Sequence, residues 1–193
     1  STPAQRDGVT QIARIRQSLP RYANAVTKLI GVQVRLSDII QASALQGIFA
    51  NVSWDYYRAA MRELGTKVLR RGDAAGVAFV VTIVGFHGSS NNTVLNALRL
   101  SRGRIFFVAA ESPAMELAML RNCDGLVIGP NVLGWWAAYL AALPAGYVVA
   151  PRHLFGPHFF HSHGLGAGFR VSDYYPSRWV LLSNDGPTSP PTG

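Results

Sequence analysis

The stretch Ser112 to Leu140, SPAMELAMLRNCDGLVIGPNVLGWWAAYL, decides how the rest of the chain is read. Its first half sets Met115, Leu117, Ala118, Leu120 and Cys123 mostly three or four residues apart, the spacing of one helix face. Leu126 to Ile128 reads as a short buried strand. Gly129, Pro130 and Asn131 break the chain, and Gly134 opens a second helical run through Trp135, Trp136, Tyr139 and Leu140. The unit is helix, strand, glycine-containing turn, helix. A turn of that kind, at the carboxyl end of a parallel strand, is where α/β proteins receive a phosphate or nucleotide, because the following helix presents unpaired N–H groups.

Upstream, three more strands alternate with helices. Leu29 to Asp38 alternates at Ile30, Val32 and Val34 and runs into a polar turn, Gly76 to Thr82 is continuously apolar as a strand buried on both faces would be, and Ile105 to Ala109 leads into Ser112. Val9 to Leu19 has a helix face ended by Pro20, after a polar lead-in at Ser1 to Gly8. Tyr22 to Lys28 reads as a linker or short helix and Thr93 to Arg99 as a short helix. Tyr147 to Ala150 is a fifth strand. The alternation predicts an α/β fold with a Rossmann-like, doubly wound parallel sheet.

Composition narrows the class. The chain has 193 residues, 49% of them hydrophobic and 15% charged, enough for one domain with a sizeable core. Eighteen basic against ten acidic residues give +8, which favours acidic partners such as a nucleotide diphosphate, an anionic glycan or an anionic membrane. A nucleic-acid-binding domain is disfavoured, because the positive charges are scattered and no aromatic-basic groove motif occurs. The single cysteine, Cys123, excludes an intramolecular disulfide and a cysteine-based zinc site, and it reads as a buried structural thiol. His153, His158, His161 and His163 cluster, but no carboxylate is interleaved among them, so no metal site is assigned. Ala74 to Phe86 is too short to span a bilayer. Sequons stand at Asn51-Val52-Ser53 and Asn91-Asn92-Thr93.

The 112–140 block resembles the last conserved block of the α1,2-fucosyltransferases, glycosyltransferase family 11. Ser112, Pro113, Glu116, Cys123, Gly134, Trp136, Ala137, Ala138 and Leu140 fall on the family pattern. Glu116 stands where Asp is usual, and Val132 where a hydroxyl residue is usual. The strand ending at Arg35 resembles the family's first motif, His-x-Arg-Arg-x-Asp: Arg35 and Asp38 keep their places, whereas Gln33 replaces the His and Leu36 the second Arg. Trp54, Tyr56 and Tyr57 resemble the helix that follows it. Arg70-Arg71-Gly72-Asp73 copies the motif more literally but precedes the strongest strand, where the family order requires it to follow one, so Lys67 to Asp73 is read as a basic loop whose Arg-Gly-Asp is no adhesion signal. An acidic turn expected after the Gly76–Thr82 strand is absent. Ser172 to Leu182, with Tyr174, Tyr175, Pro176 and Trp179, resembles a carboxyl-terminal segment of animal members and reads as an aromatic clasp; residues 183–193 read as a disordered tail.

What the resemblance implies is the nucleotide-sugar half of a GT-B-like fold at residues 29–182, behind a lead-in helix and linker at 1–28. The implied activity is that of a galactoside 2-α-L-fucosyltransferase: fucose moves from GDP-fucose to the 2-hydroxyl of a terminal galactoside, with inversion and without a metal or other cofactor. Arg35 would take the phosphates and Asp38 would orient it or neighbouring backbone. Ser112, Glu116, Asn131, Val132 and Gly134 would build the GDP-fucose pocket, and the partners would be GDP-fucose and a galactoside glycan, with no nucleic acid. The family implies a Golgi-lumenal type II membrane protein in animals, whose anchor and amino-terminal portion would precede this chain, or a cytoplasmic enzyme in bacteria. The departures at Gln33, Leu36, Val132 and the missing acidic turn define the alternative: a non-catalytic member that binds a glycan or a partner.

Overall fold

The computed structural model describes residues 2–19, 21–22, 25–35, 48–72, 74–84, 94, 96–98, 104–156, 159 and 170–186. In chain order the elements are α1 (Pro3–Ser18), β1 (Arg21–Tyr22), β2 (Ala25–Arg35), α2 (Trp54–Arg70), β3 (Ala74–Val84), β4 (Arg104–Ala109), α3 (Pro113–Arg121), β5 (Gly125–Val127), α4 (Val132–Leu140), β6 (Val148–Pro151), a 3-10 turn (Val171–Asp173) and β7 (Val180–Leu182). The strands form one sheet in the order β4-β3-β2-β5-β6-β7, every pair along it parallel, with β1 antiparallel to the start of β2.

Alternation along the strands divides the core into two layers. Leu29, Ala78, Val80, Leu126, Val148 and Ala150 face one way and pack with α1, α3 and α4 through Ile12, Ile15, Met119, Leu120, Ala137 and Ala138. Ile30, Val32, Val34, Val81, Val127 and Val149 face the other way, onto Tyr56, Tyr57, Met61, Leu64 and Val68 of α2 and onto Val94 and Leu98. Helices on both faces of a parallel sheet make the fold Rossmann-like and doubly wound. Each fully buried large apolar side chain in these layers contributes about 1.5–3 kcal/mol.

The order of the sheet places the site. From β2 the chain steps outward through β3 to β4, then returns across β2 to β5 and steps the other way through β6 to β7. The order therefore reverses between β2 and β5, and at such a switch point the connections leave in opposite directions and open a crevice at the carboxyl ends of the strands.

Several elements differ from the expected ones for local reasons. Tyr22 to Lys28 supplies β1 and the first residues of β2, because Val26 and Thr27 extend the β-branched run and pair with β3. The polar lead-in is helical from Pro3: Thr2 Oγ1 accepts from Gln5 N at 3.3 Å while Gln5 Oε1 accepts from Thr2 N at 2.9 Å, a reciprocal cap. Lys67 to Arg70 is the last turn of α2, since Met61, Leu64 and Val68 sustain the apolar period, and Asp73 lies outside the described residues. α4 starts at Val132 rather than Gly134, and Cys123 lies beyond the end of α3. The carboxyl-terminal segment buries Tyr175 and Trp179 and also adds a sixth parallel strand, β7.

Two contacts tie the termini in. Arg16 Nη1 reaches Asp124 Oδ2 at 2.9 Å and Arg16 Nη2 donates to the Asn122 carbonyl at 2.8 Å, stitching α1 to the turn before β5. Asn184, buried, donates from Nδ2 to the carbonyls of Asn51 and His153, both at 2.9 Å, and accepts from His153 N at 3.0 Å, while its own carbonyl accepts from Ser53 N at 2.9 Å.

Candidate functional site

A buried polar cluster occupies the switch point. Gln33 and Arg35 come from the end of β2, Thr82 from the end of β3, Glu116 from the first turn of α3, and Asn131 caps α4. Gln33 and Thr82 are fully buried and Glu116 is 1% exposed, although they sit among apolar strands. Burial of such groups is tolerated only with partners, and each has them. Glu116 Oε1 accepts from Gln33 Nε2 and from Thr82 Oγ1, both at 3.1 Å. Gln33 Oε1 accepts from Asn131 Nδ2 at 3.0 Å, and Asn131 Oδ1 accepts from Gly134 N at 2.9 Å. The chain Thr82–Glu116–Gln33–Asn131–Gly134 thus links four elements through side chains.

Glycine is required at its last member. A Cβ on Gly134 would overlap Gln33 Oε1 and stand 3.2 Å from Ile128 Cβ. From the other layer, Tyr56 Oη donates to the Ile128 carbonyl at 2.6 Å and fixes the strand just before the turn. Burial, reinforced by Tyr57 and Tyr175, raises the Tyr56 hydroxyl well above its usual range, so Tyr56 is a donor and no general base.

Arg35 closes the cluster on its open side. Its Nη2 is 4.0 Å from Glu116 Oε2, the outer limit of an ion pair, and no hydrogen bond is made. Its side chain is 29% exposed, and Nε is buried without a hydrogen-bond partner among the described residues. A guanidinium is a rigid fork suited to a bidentate oxyanion. Here it is oriented by a carboxylate whose other oxygen is already engaged, with donors left over. The cluster can therefore hold an anion at the strand ends.

The expected site residues divide as follows. Arg35, Glu116, Asn131 and Gly134 meet in this cluster. Ser112 caps α3, its Oγ accepting from Met115 N at 3.2 Å, and so sets the turn on which Glu116 sits. Val132 is the first residue of α4 and is 52% exposed. Asp38 and Leu36 lie outside the described residues, as do His158, His161 and His163. Thr82 was missed by sequence reasoning; its signal is a lone hydroxyl near the end of an otherwise apolar strand. Gln33, noted only as a departure, is the centre of the network.

Other features lie elsewhere. A cavity of about 770 Å³ runs along α2, lined by Arg62, Glu63, Lys67, Arg70 and Leu182 among others, and shares no residue with the cluster. Among the described residues no group of three or more His, Cys, Asp or Glu could hold a metal, and no helix is long and apolar enough to cross a membrane. Burial pushes the Cys123 thiol up to about 12, partly offset by Arg16, which leaves it inert as a nucleophile.

Comparison with known proteins adds the following. No curated protein matches the chain. Among solved structures, the glycosyl transferase family 9 protein from Veillonella parvula DSM 2008 is similar at 12% identity and a TM-score of 0.49, over 95% of this chain and 42% of that one. The chain thus spans less than half the length of that protein. The model of glycosyl transferase family 11 matches residues 6–161, which include β2, the switch point, α3 and α4, and by that match the chain belongs to glycosyl transferase family 11.

Proposed function

We propose that this domain binds GDP-fucose at the β2/β5 switch point and serves as the donor half of an inverting α1,2-fucosyltransferase. One observation carries the reading: Arg35 stands at the strand ends, 4.0 Å from a buried carboxylate, and keeps a buried Nε without a partner among the described residues. In the reaction, the 2-hydroxyl oxygen of a terminal galactoside attacks the anomeric carbon of fucose opposite the diphosphate. The bond from that carbon to the β-phosphate oxygen breaks, GDP leaves with the electron pair, and the hydroxyl proton passes to a general base. Charge grows on the diphosphate as the bond breaks, and a preoriented guanidinium stabilises it without a metal. In this reading Asp38, outside the described residues, would orient Arg35 or neighbouring backbone, and the turn at Asn131 to Gly134 cradles the nucleotide.

Calorimetric titration of GDP and GDP-fucose, with EDTA present, tests it. Parent protein binds both, and Arg35→Ala weakens them roughly 10- to 100-fold, the scale of a lost charge-assisted hydrogen-bond pair. Equal affinity in the variant removes the proposal. A second reading, a binding domain without catalysis, is favoured by one feature of the cluster: both polar ends of Gln33 are spent inside the protein, on Glu116 and Asn131. Binding of GDP-fucose without turnover in the presence of galactosides would select it.

A further inference from the structure

α2 carries more positive charge along its outer side than its carboxyl end calls for. Tyr56, Tyr57, Ala60, Met61, Leu64 and Val68 turn to the core, while Arg62, Thr66 and Arg70 follow one another at four-residue steps and are exposed. At about 1.5 Å of rise per residue, the two arginines stand about 12 Å apart along the axis. Cations in the last turn offset the helix dipole, which accounts for Lys67 and Arg70. Arg62 sits in mid-helix, beyond the reach of that effect, and is left without this reason.

These side chains line the cavity of about 770 Å³, whose other wall is formed by Leu182 at the end of β7 and by Ser183 and Gly186 after it. The lining holds four cations, Arg62, Lys67, Arg70 and Arg71, against one carboxylate, Glu63. Two of the cations are fixed in place. Arg71 donates from Nη1 to Tyr147 Oη at 3.3 Å, and its guanidinium carbon lies 5.3 Å from the centre of the Tyr147 ring. Lys67 Nζ lies so close over Gly146 that a Cβ there would overlap it. Arg62, Lys67 and Arg70 take part in no ion pair between described residues, although Glu63 and Lys67 have the four-residue spacing that favours one. Of the carboxylates beyond the lining, Asp55 is taken by Arg58, and Asp185 is exposed beside Gly186. Like charges gathered in a concavity focus a positive field that draws in an anion.

We propose that this groove binds a polyanionic oligosaccharide, a sugar chain bearing sulfate or carboxylate groups, laid along α2. The line of charge selects a chain: a single small anion reaches one arginine, whereas groups spaced along a chain reach both. Thr66 and Ser183 add hydroxyls to the same lining, which suit the hydroxyls of a sugar. No aromatic residue among those described lines the groove, and a single-stranded nucleic acid draws on aromatic rings for its bases. A bilayer presents its headgroups in a plane, which the concave wall keeps from the cations. The groove shares no residue with the Arg35 cluster, so a glycan here and GDP at the switch point are independent events.

The test uses the intact chain. A heparin hexasaccharide, which carries sulfates, and a hexagalacturonate, which carries carboxylates alone, are titrated calorimetrically at low and high salt. The proteins are the parent, the double variant Arg62→Gln with Arg70→Gln, and a charge-matched control, Arg6→Gln with Arg14→Gln, whose exposed positions lie on α1. At least one sugar is expected to bind, more weakly at high salt, with affinity down roughly five- to twentyfold in the groove variant and less than about twofold in the control. The sugar that binds tighter identifies the charged group. Equal losses in the two variants mean general attraction to a basic protein and overturn the proposal. So does the absence of binding by either sugar, and so does a groove-dependent affinity for hexathymidylate or for phosphatidylserine vesicles that exceeds the affinity for both sugars.

Discussion

Two arginine–carboxylate pairs sit at opposite ends of the central strands, and they are used differently. On the amino-terminal side, Asp124 Oδ2 accepts from Arg16 Nη1 and also from Leu29 N at 2.8 Å, while Arg16 Nη2 is satisfied by the Asn122 carbonyl. That pair is closed, and it joins α1 to β2 and β5. On the carboxyl side, Glu116 Oε1 is taken by Gln33 and Thr82, and Arg35 stands 4.0 Å from Oε2 with a buried Nε that has no partner among the described residues. The chemical parts are the same. An arginine consumed by the fold stabilises it, whereas an arginine positioned but not consumed leaves a place for an anion.

Three changes break or sharpen this contrast. Glu116→Ala, the largest, strands Gln33, Thr82 and Arg35 together and is expected to lower the unfolding free energy in urea by about 3 kcal/mol. It is also expected to weaken GDP by more than roughly tenfold, the scale of one charge-assisted contact. If GDP binds the folded variant as it binds the parent, the carboxyl end is as purely structural as the other. Asp124→Ala removes the partner of the Leu29 N–H and of Arg16; with the ion pair partly exposed and discounted for solvent, the expected loss is about 2 kcal/mol. Its GDP affinity should match the parent, and a shift there would erase the division between the two ends.

The smallest change is alkaline. The Cys123 thiol, beside the closed pair, is pushed by burial from 9.0 to about 12, with Arg16 opposing and Asp124 adding. A folded value above the unfolded one means that this stabilisation is complete below pH 9 and disappears as pH rises towards 12. Near pH 10 the loss is about 1 kcal/mol. Cys123→Ala should flatten that part of the urea-midpoint profile between pH 8 and 11. The remaining slope belongs to Tyr56, Tyr174 and Tyr175, whose hydroxyls burial also raises.

What could be read from the sequence follows from range. The strands were visible because residues buried on both faces form unbroken apolar runs, as from Val77 to Val81, and the helix–strand–turn–helix unit at 112–140 because its spacing and breakers are local. Arg35, Glu116, Asn131 and Gly134 come together because parallel strands deliver their ends to one edge, a consequence of topology more than of any single motif. The bond from Thr82 to Glu116 was not legible: a hydroxyl at a strand end has no local feature that names a partner 34 residues on. Nor was β7, whose three residues Val180–Leu182 are too few for a period. The continuation of α2 through Lys67–Arg70 was hidden by its basic residues, which suit the carboxyl end of a helix as well as a loop.

The Asn184 stitch has a consequence for how the molecule is made. It ties the Asn51 carbonyl to a residue 133 positions later. At ribosomal rates of roughly 5–20 residues per second, the segment entering α2 emerges some 7 to 27 seconds before the amide that fastens it. The first βαβ unit must therefore wait, half-anchored, until residue 184 has been made. Chaperone dependence during synthesis should concentrate in that interval, and a nascent chain stalled before residue 184 would show a protease-sensitive loop near residue 51 that the released protein protects.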